Sequence, residues 1–155
     1  ADLAMVQVSS YTLGANVENG TLLVAGALIG NSGANVLTGT SGNDTLTGGT
    51  GNDTLIGGAG TDIAVFSGNR SGYTLTRNAS GDVTVVGADG TDIVQGVETL
   101  QFADQSVATA SIGAPPPNTA PVVAASNGNV NSGQPVALGA LPYPIPDATP
   151  VRRSI

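Results

Sequence analysis

An all-β chain built around a short parallel roll is what this sequence predicts, and three observations predict it. Nine-residue blocks follow one another, GTSGNDTLT over 39–47, GGTGNDTLI over 48–56 and GGAGTDIAV over 57–65, with Gly42, Gly51 and Gly60 in one register and Asp44, Asp53 and Asp62 in another. Two residues behind each Asp comes Leu46, Leu55 or Ala64, so one apolar side chain recurs per block. Charged helix formers are scarce and helix breakers common: 23 of the 155 residues are Gly, Lys is absent, and Asn, Asp and Thr far outnumber Glu. Tandem repetition at a fixed short period is the mark of a solenoid.

The elements follow from what one block can do alone. A short strand around Leu46 or Leu55 turns a single apolar side chain inward, and the residues before it must reverse the chain, which calls for glycine at positive φ. One block has no core of its own. Two blocks make a coil of eighteen residues, which puts Asp44 and Asp62 on one edge of the stack and Asn35 and Asp53 on the other. Upstream, GNSGANVLT over 30–38 keeps Gly33 and Leu37 but has Asn35 in place of Asp, and Leu28 lies nine before Leu37. Degenerate coils therefore begin before the glycines become regular, and residues 1–29 are expected to cap the stack.

Downstream, residues 73–77 (YTLTR) and 82–86 (DVTVV) alternate with period two around Asn78-Ala79-Ser80-Gly81, the pattern of a β-hairpin. Gly87–Val94 repeats the register of Gly57–Ala64, but thirty residues later, so it is expected out of phase, with Asp92 as a turn residue. A strand is expected within Gly96–Asp104, where Glu98 echoes Glu18 in a Val-Glu context; both glutamates are expected to satisfy local backbone donors or face solvent. Phe66, Phe102, Tyr11 and Tyr73 are expected in core or cap packing. All nine prolines follow residue 114, and 114–121 (APPPNTAP) is an extended linker. The expected organisation is thus a roll over 1–113, made of the cap, repeats over 30–65 and C-terminal strands over 66–113, then the linker and a tail over 122–155. That tail resembles the first strands of a β-sandwich or is irregular.

The chemistry is set by the carboxylates. Adjacent strands lie about 4.8 Å apart and a calcium ion sits about 2.3–2.6 Å from each oxygen ligand, so carboxylates on neighbouring coils are spaced to share an ion. Without a cation they face one another uncompensated, and folding is expected to depend on calcium. Formal charge is −7, and residues 1–69 hold Asp2, Glu18, Asp44, Asp53 and Asp62 with no basic residue before Arg70. Such a chain suits a cation and not a nucleic acid.

These blocks resemble the nonapeptides of the RTX (repeats-in-toxin, haemolysin-type calcium-binding) family, G-G-x-G-x-D-x-U-x, which form parallel β-rolls. The resemblance implies ligation by the Asp carboxylate and by the carbonyls of the second and fourth residues. Those are Asp44 with Thr40 and Gly42, Asp53 with Gly49 and Gly51, and Asp62 with Gly58 and Gly60. Asn35 offers a neutral oxygen or is a turn residue only. Thr40 in place of the second Gly, and Ala64 in place of a large apolar residue, weaken the pattern at both ends, so few ions are expected.

Residue types argue against catalysis: no His, Cys or Lys is available as base, nucleophile or Schiff-base former. No cysteine means no disulfide framework, and bound calcium takes over that stabilising part. No stretch of about eighteen apolar residues suggests a transmembrane segment, and no basic and apolar N-terminal signal is evident. The resemblance implies an extracellular or cell-surface bacterial protein exported by type I secretion, of which this chain is expected to be a piece. Two functions fit: a calcium-binding structural module of an adhesin or matrix protein, with self-association or cell-surface and matrix contacts as its partners, or a folding and secretion module attached to an enzyme or toxin domain outside these residues.

Overall fold

The computed structural model describes residues 1–113, which form thirteen β-strands and two single-turn 3-10 segments. The expected linker and the tail lie outside the described residues.

Successive strands alternate between two sheets. One sheet takes β1 (Leu3–Val6), β3 (Asn19–Leu22), β5 (Val36–Thr38) and β7 (Thr54–Ile56); the other takes β2 (Ser10–Thr12), β4 (Ala27–Ile29), β6 (Thr45–Thr47) and β8 (Ile63–Val65). Every neighbouring pair among these eight is parallel. Each repeat strand is three residues long and buries only its middle one, as a period of two requires. Leu37 therefore stacks on Leu55 in one sheet, and Leu28, Leu46 and Ala64 stack in the other. All five are fully buried, and each leucine so placed contributes about 1.5–3 kcal/mol of transfer free energy. The result is the parallel β-roll that the nine-residue period predicts.

Residues 1–29 belong to this roll as further coils with shorter turns. Thr54 pairs with Val36, eighteen residues back; Val36 pairs with Asn19, seventeen back; and Asn19 pairs with Leu3, sixteen back. Gly20 falls on the inward column, and its missing side chain is made good by Leu13 and Leu28, whose methyl groups lie 3.0 Å from where a Cβ would stand. Tyr11 departs from expectation. It shares a column with Leu28, but among the described residues β2 is an edge strand with no neighbour beyond it, and the residue is 40% exposed instead of packed in a core or cap.

Beyond β8 the chain leaves the roll and returns. A 3-10 turn at Arg70–Gly72 leads to β9 (Thr74–Arg77), which pairs antiparallel with β10 (Val83–Gly87) in the predicted hairpin. Next, β11 (Gly90–Gln95) pairs antiparallel with β10 and parallel with β7, and β12 (Thr99–Gln101) pairs parallel with β8. Gly87–Val94 is thus in phase with the repeats, contrary to the expectation from spacing. Ile93 lies opposite Thr54, 39 residues on where a coil spans eighteen, so the 21 extra residues are looped out as the hairpin and its approach.

The looped-out segment is anchored by aromatic packing and one buried acid. Phe66, Tyr73 and Phe102 form a cluster with ring centroids 5.0–5.7 Å apart. The Arg70 guanidinium lies 5.7 Å from the centre of the Phe102 ring, within cation–π range. Tyr73 Oη donates to Asp89 Oδ2 at 2.7 Å, and Ser67 adds its backbone N–H to Oδ2 at 2.9 Å and its hydroxyl to Oδ1 at 2.5 Å. Each sheet ends on this side in an antiparallel strand, β9 in one and β13 (Ser106–Ala108) in the other.

Candidate metal centre

The turns between strands carry two columns of acids, and backbone geometry decides what each acid can do. In the blocks over 48–56 and 57–65 the glycines at the second and fourth positions take positive φ, at 98° and 125° for Gly49 and Gly51 and at 111° and 119° for Gly58 and Gly60. Residues with a Cβ rarely adopt this region. A Cβ would in any case meet the previous coil: at Gly51 it would stand 2.7 Å from Gly33 O and at Gly60 2.5 Å from Gly42 O, while at Gly49 and Gly58 it would overlap Asn31 O and Thr40 O. The carbonyls of Thr40 and Gly42, two expected ligands, therefore point across the gap between coils at the turn of Asp62.

Position two has a second consequence. In the blocks over 30–38 and 39–47 its φ is negative, and its backbone N–H closes on the acid or amide four residues ahead. Asn31 N donates to Asn35 Oδ1 at 2.8 Å, and Thr40 donates to Asp44 Oδ2 from its N–H at 2.6 Å and from its hydroxyl at 2.9 Å. In the two Gly-Gly blocks the left-handed turn directs that N–H elsewhere. Asp53 Oδ2 and Asp62 Oδ2 are left buried with no hydrogen-bond partner, although both residues are almost wholly inaccessible, at 1% and 0% exposure. Leaving an anionic oxygen so placed is costly. A bare buried carboxylate oxygen beside backbone carbonyls is what a hard cation's oxygen coordination requires.

The other carboxylate oxygen of each rung is used to join coils. Asp44 Oδ1 accepts from Gly26 N, Asp62 Oδ1 from Asp44 N and Glu98 Oε2 from Asp62 N, at 2.7–2.8 Å. On the opposite edge Asp53 Oδ1 accepts from Asn35 N and Asp92 Oδ1 from Asp53 N, both at 2.8 Å. Asp92 and Glu98 thus occupy the next rungs, so Asp92 is more than a turn residue and Glu98 bonds a neighbouring coil, not a local donor. Glu18 behaves alike at the other end, accepting from Asp2 N at 2.6 Å. Both glutamates occur where the coil is short, and their extra methylene spans what a shorter turn leaves open. The signal was present in sequence, since GADGTDIVQ over 87–95 is a degenerate block once residues 66–86 are removed. Asp89 carries no comparable signal; its role depends on where Ser67 and Tyr73 arrive.

Burial also perturbs the acids. Desolvation pushes the carboxyls of Asp53 and Asp62 above the ordinary range, with the charge of Asp89 adding to the effect at Asp53 and those of Asp44 and Glu98 at Asp62. Asp92 is pushed up to about 6, again mainly by burial. Burial works the same way on Asp89, but hydrogen bonds from Ser67 and Tyr73 outweigh it and hold its carboxyl below its usual value. Among the described residues no three acidic, His or Cys side chains converge, so an ion held here draws on backbone carbonyls beside one or two carboxylates.

Residues 29–64 match the model of the RTX calcium-binding nonapeptide repeat, four copies. This segment is a run of RTX repeats. RTX nonapeptides bind calcium ions, and the orphaned oxygens of Asp53 and Asp62 fit that chemistry. No curated protein matches the chain. Of the expected ligands, the RTX roll brings Asp44, Asp62, Thr40, Gly42, Gly58 and Gly60 to one edge and Asn35, Asp53, Gly49 and Gly51 to the other. Asn35 fully engages its amide within the protein, with Nδ2 donating to Val17 O at 3.1 Å. Two of the four matched copies therefore close their own turns, and two leave a buried carboxylate oxygen without a partner.

Proposed function

We propose that residues 1–113 are a calcium-dependent structural module of a secreted or cell-surface bacterial protein of the adhesin or matrix kind. The observation that carries this reading is the pair of unpartnered, buried carboxylate oxygens at Asp53 and Asp62, each in a turn with two left-handed glycines. Asp53 with the carbonyls of Gly49 and Gly51, and Asp62 with those of Gly58 and Gly60, would hold the ions, joined by the carbonyls of Thr40 and Gly42 across the gap. Asp44 and Asn35 contribute less, because their own turns already satisfy them. A bound cation supplies the positive charge that these buried acids lack, and since it binds the folded coils alone its binding free energy stabilises them.

Residue chemistry supports a structural over a catalytic role, since the chain offers no His, Cys or Lys. Among the described residues no helix is long and apolar enough to cross a membrane. The adhesin reading draws on the proline-rich segment and the sandwich-like sequence that follows the roll. Circular dichroism of the chain in EDTA and then in millimolar calcium tests the module: strand signal should strengthen with calcium in the wild type and require more calcium to do so in Asp53→Ala and Asp62→Ala. A spectrum indifferent to chelation would overturn the calcium reading. Tandem sandwich modules in the parent reading frame would support adhesion, and a hydrolase or toxin domain there would replace that part of the reading.

A further inference from the structure

We propose that the metal ladder crosses the looped-out segment, and that Asp62 and Glu98, with the carbonyls of Gly96 and Gly58, form a divalent-cation site that fastens the C-terminal strands to the repeats. This inference rests on the calcium reading above and concerns residues beyond the matched repeats, which end at residue 64.

Four observations bring oxygen atoms to the junction between the turn of Asp62 and the turn of Glu98. Asp62 is fully buried, and its Oδ2 has no partner. A Cβ at Gly57 would stand 2.5 Å from that oxygen and would overlap Gly96 O, so both oxygens converge on the same bare α-carbon. Glu98 Oε2 is held at the rung by the Asp62 N–H at 2.7 Å. Gly58 O lies 3.2 Å from the Cβ position of Gly96, whose φ of 56° again permits this close approach of two turns.

The chemistry of this set is specific. All four donors are oxygens, two of them carboxylates, so a doubly charged cation is neutralised at the site. Flexible coordination by carbonyl and carboxylate suits calcium better than magnesium, which demands near-ideal octahedral geometry. Without a cation, the two acids lie side by side, and the Glu98 charge is one cause of the raised Asp62 carboxyl. Among the described residues the two guanidiniums bond elsewhere, Arg70 to Tyr73 O and Arg77 to Gly81 O. Since β12 joins the roll only beside β8, a cation at this rung ties the returning chain to the repeats across the whole looped-out segment.

Isothermal titration of the whole chain with calcium chloride, after chelator removal, tests the site through Glu98→Gln. The amide oxygen can still accept from Asp62 N, so coil pairing is retained while the charge is lost. One binding event should disappear or weaken at least tenfold, with the binding that depends on Asp53 unchanged. Hydrogen exchange in saturating calcium gives a second readout: amides of residues 96–101 should exchange at least tenfold faster in Glu98→Gln than in the wild type, while those of residues 36–38 and 54–56 are unchanged. Wild-type binding that survives Glu98→Gln with unchanged stoichiometry and affinity would overturn the proposal alone, as would equal exchange over 96–101 in the calcium-loaded wild type and variant. A wild-type chain that binds no calcium would overturn the calcium reading and this site with it.

Discussion

A single torsion at the second position of each block separates a turn that satisfies its own acid or amide from one that leaves a carboxylate oxygen bare. Thr40 keeps negative φ and closes on Asp44 with two hydrogen bonds, whereas Gly58 at φ 111° leaves Asp62 Oδ2 bare. Thr40→Gly should therefore free the Asp44 carboxylate and raise the number of calcium ions bound, which titration calorimetry would register as higher stoichiometry or tighter binding. Gly58→Ala should do the reverse: the new Cβ meets Thr40 O in a strained conformation, costing at least about 1–3 kcal/mol and raising the calcium needed for half-maximal folding. The glycine pattern was legible in sequence, and so was the weakness of the Thr40 block. What could not be read there is that a donor lost by a peptide turning over is what makes the oxygen available.

At the level of elements, three-residue strands owe their stability to the columns they build and not to their own length. Leu55 is fully buried between Leu37 and Val94 in its column, and Leu55→Ala should cost about 2–5 kcal/mol, seen as a lower melting temperature in saturating calcium. The hairpin depends on a polar anchor instead. Tyr73→Phe removes the donor to Asp89 Oδ2 and the acceptor of Gly68 N, a loss of about 1–3 kcal/mol that should appear first as faster amide exchange over residues 73–87. The hairpin itself was visible from alternation around Asn78–Gly81. Its effect on phase was not, because spacing along the chain counts looped-out residues that the stack does not.

For the molecule as a whole, the balance of acids sets the response to pH. Asp53, Asp62 and Asp92 have carboxyls raised by burial, so in chelator the folded chain holds more protons than the unfolded one between about 4 and the folded value, about 6 for Asp92. Unfolding free energy must then fall as pH rises through that window. Asp89, with its carboxyl lowered, works oppositely, and its contribution is lost as pH falls through its folded value, below the window. Thermal melts in EDTA should accordingly show a higher midpoint near pH 5 than at pH 7, and calcium at pH 7 should reverse the order, since ionised carboxylates bind it best. The amino-acid sequence by itself determined the roll, its nine-residue period, the Asp44, Asp53 and Asp62 ladder and its cation, because a repeated block can bury its one apolar side chain only by stacking on the next. Tertiary structure decided which acids are left bare, and that Asp92 and Glu98 rejoin the ladder. Both outcomes depend on contacts between coils, where the partner of an oxygen is set by how a neighbouring turn arrives and not by its distance along the chain.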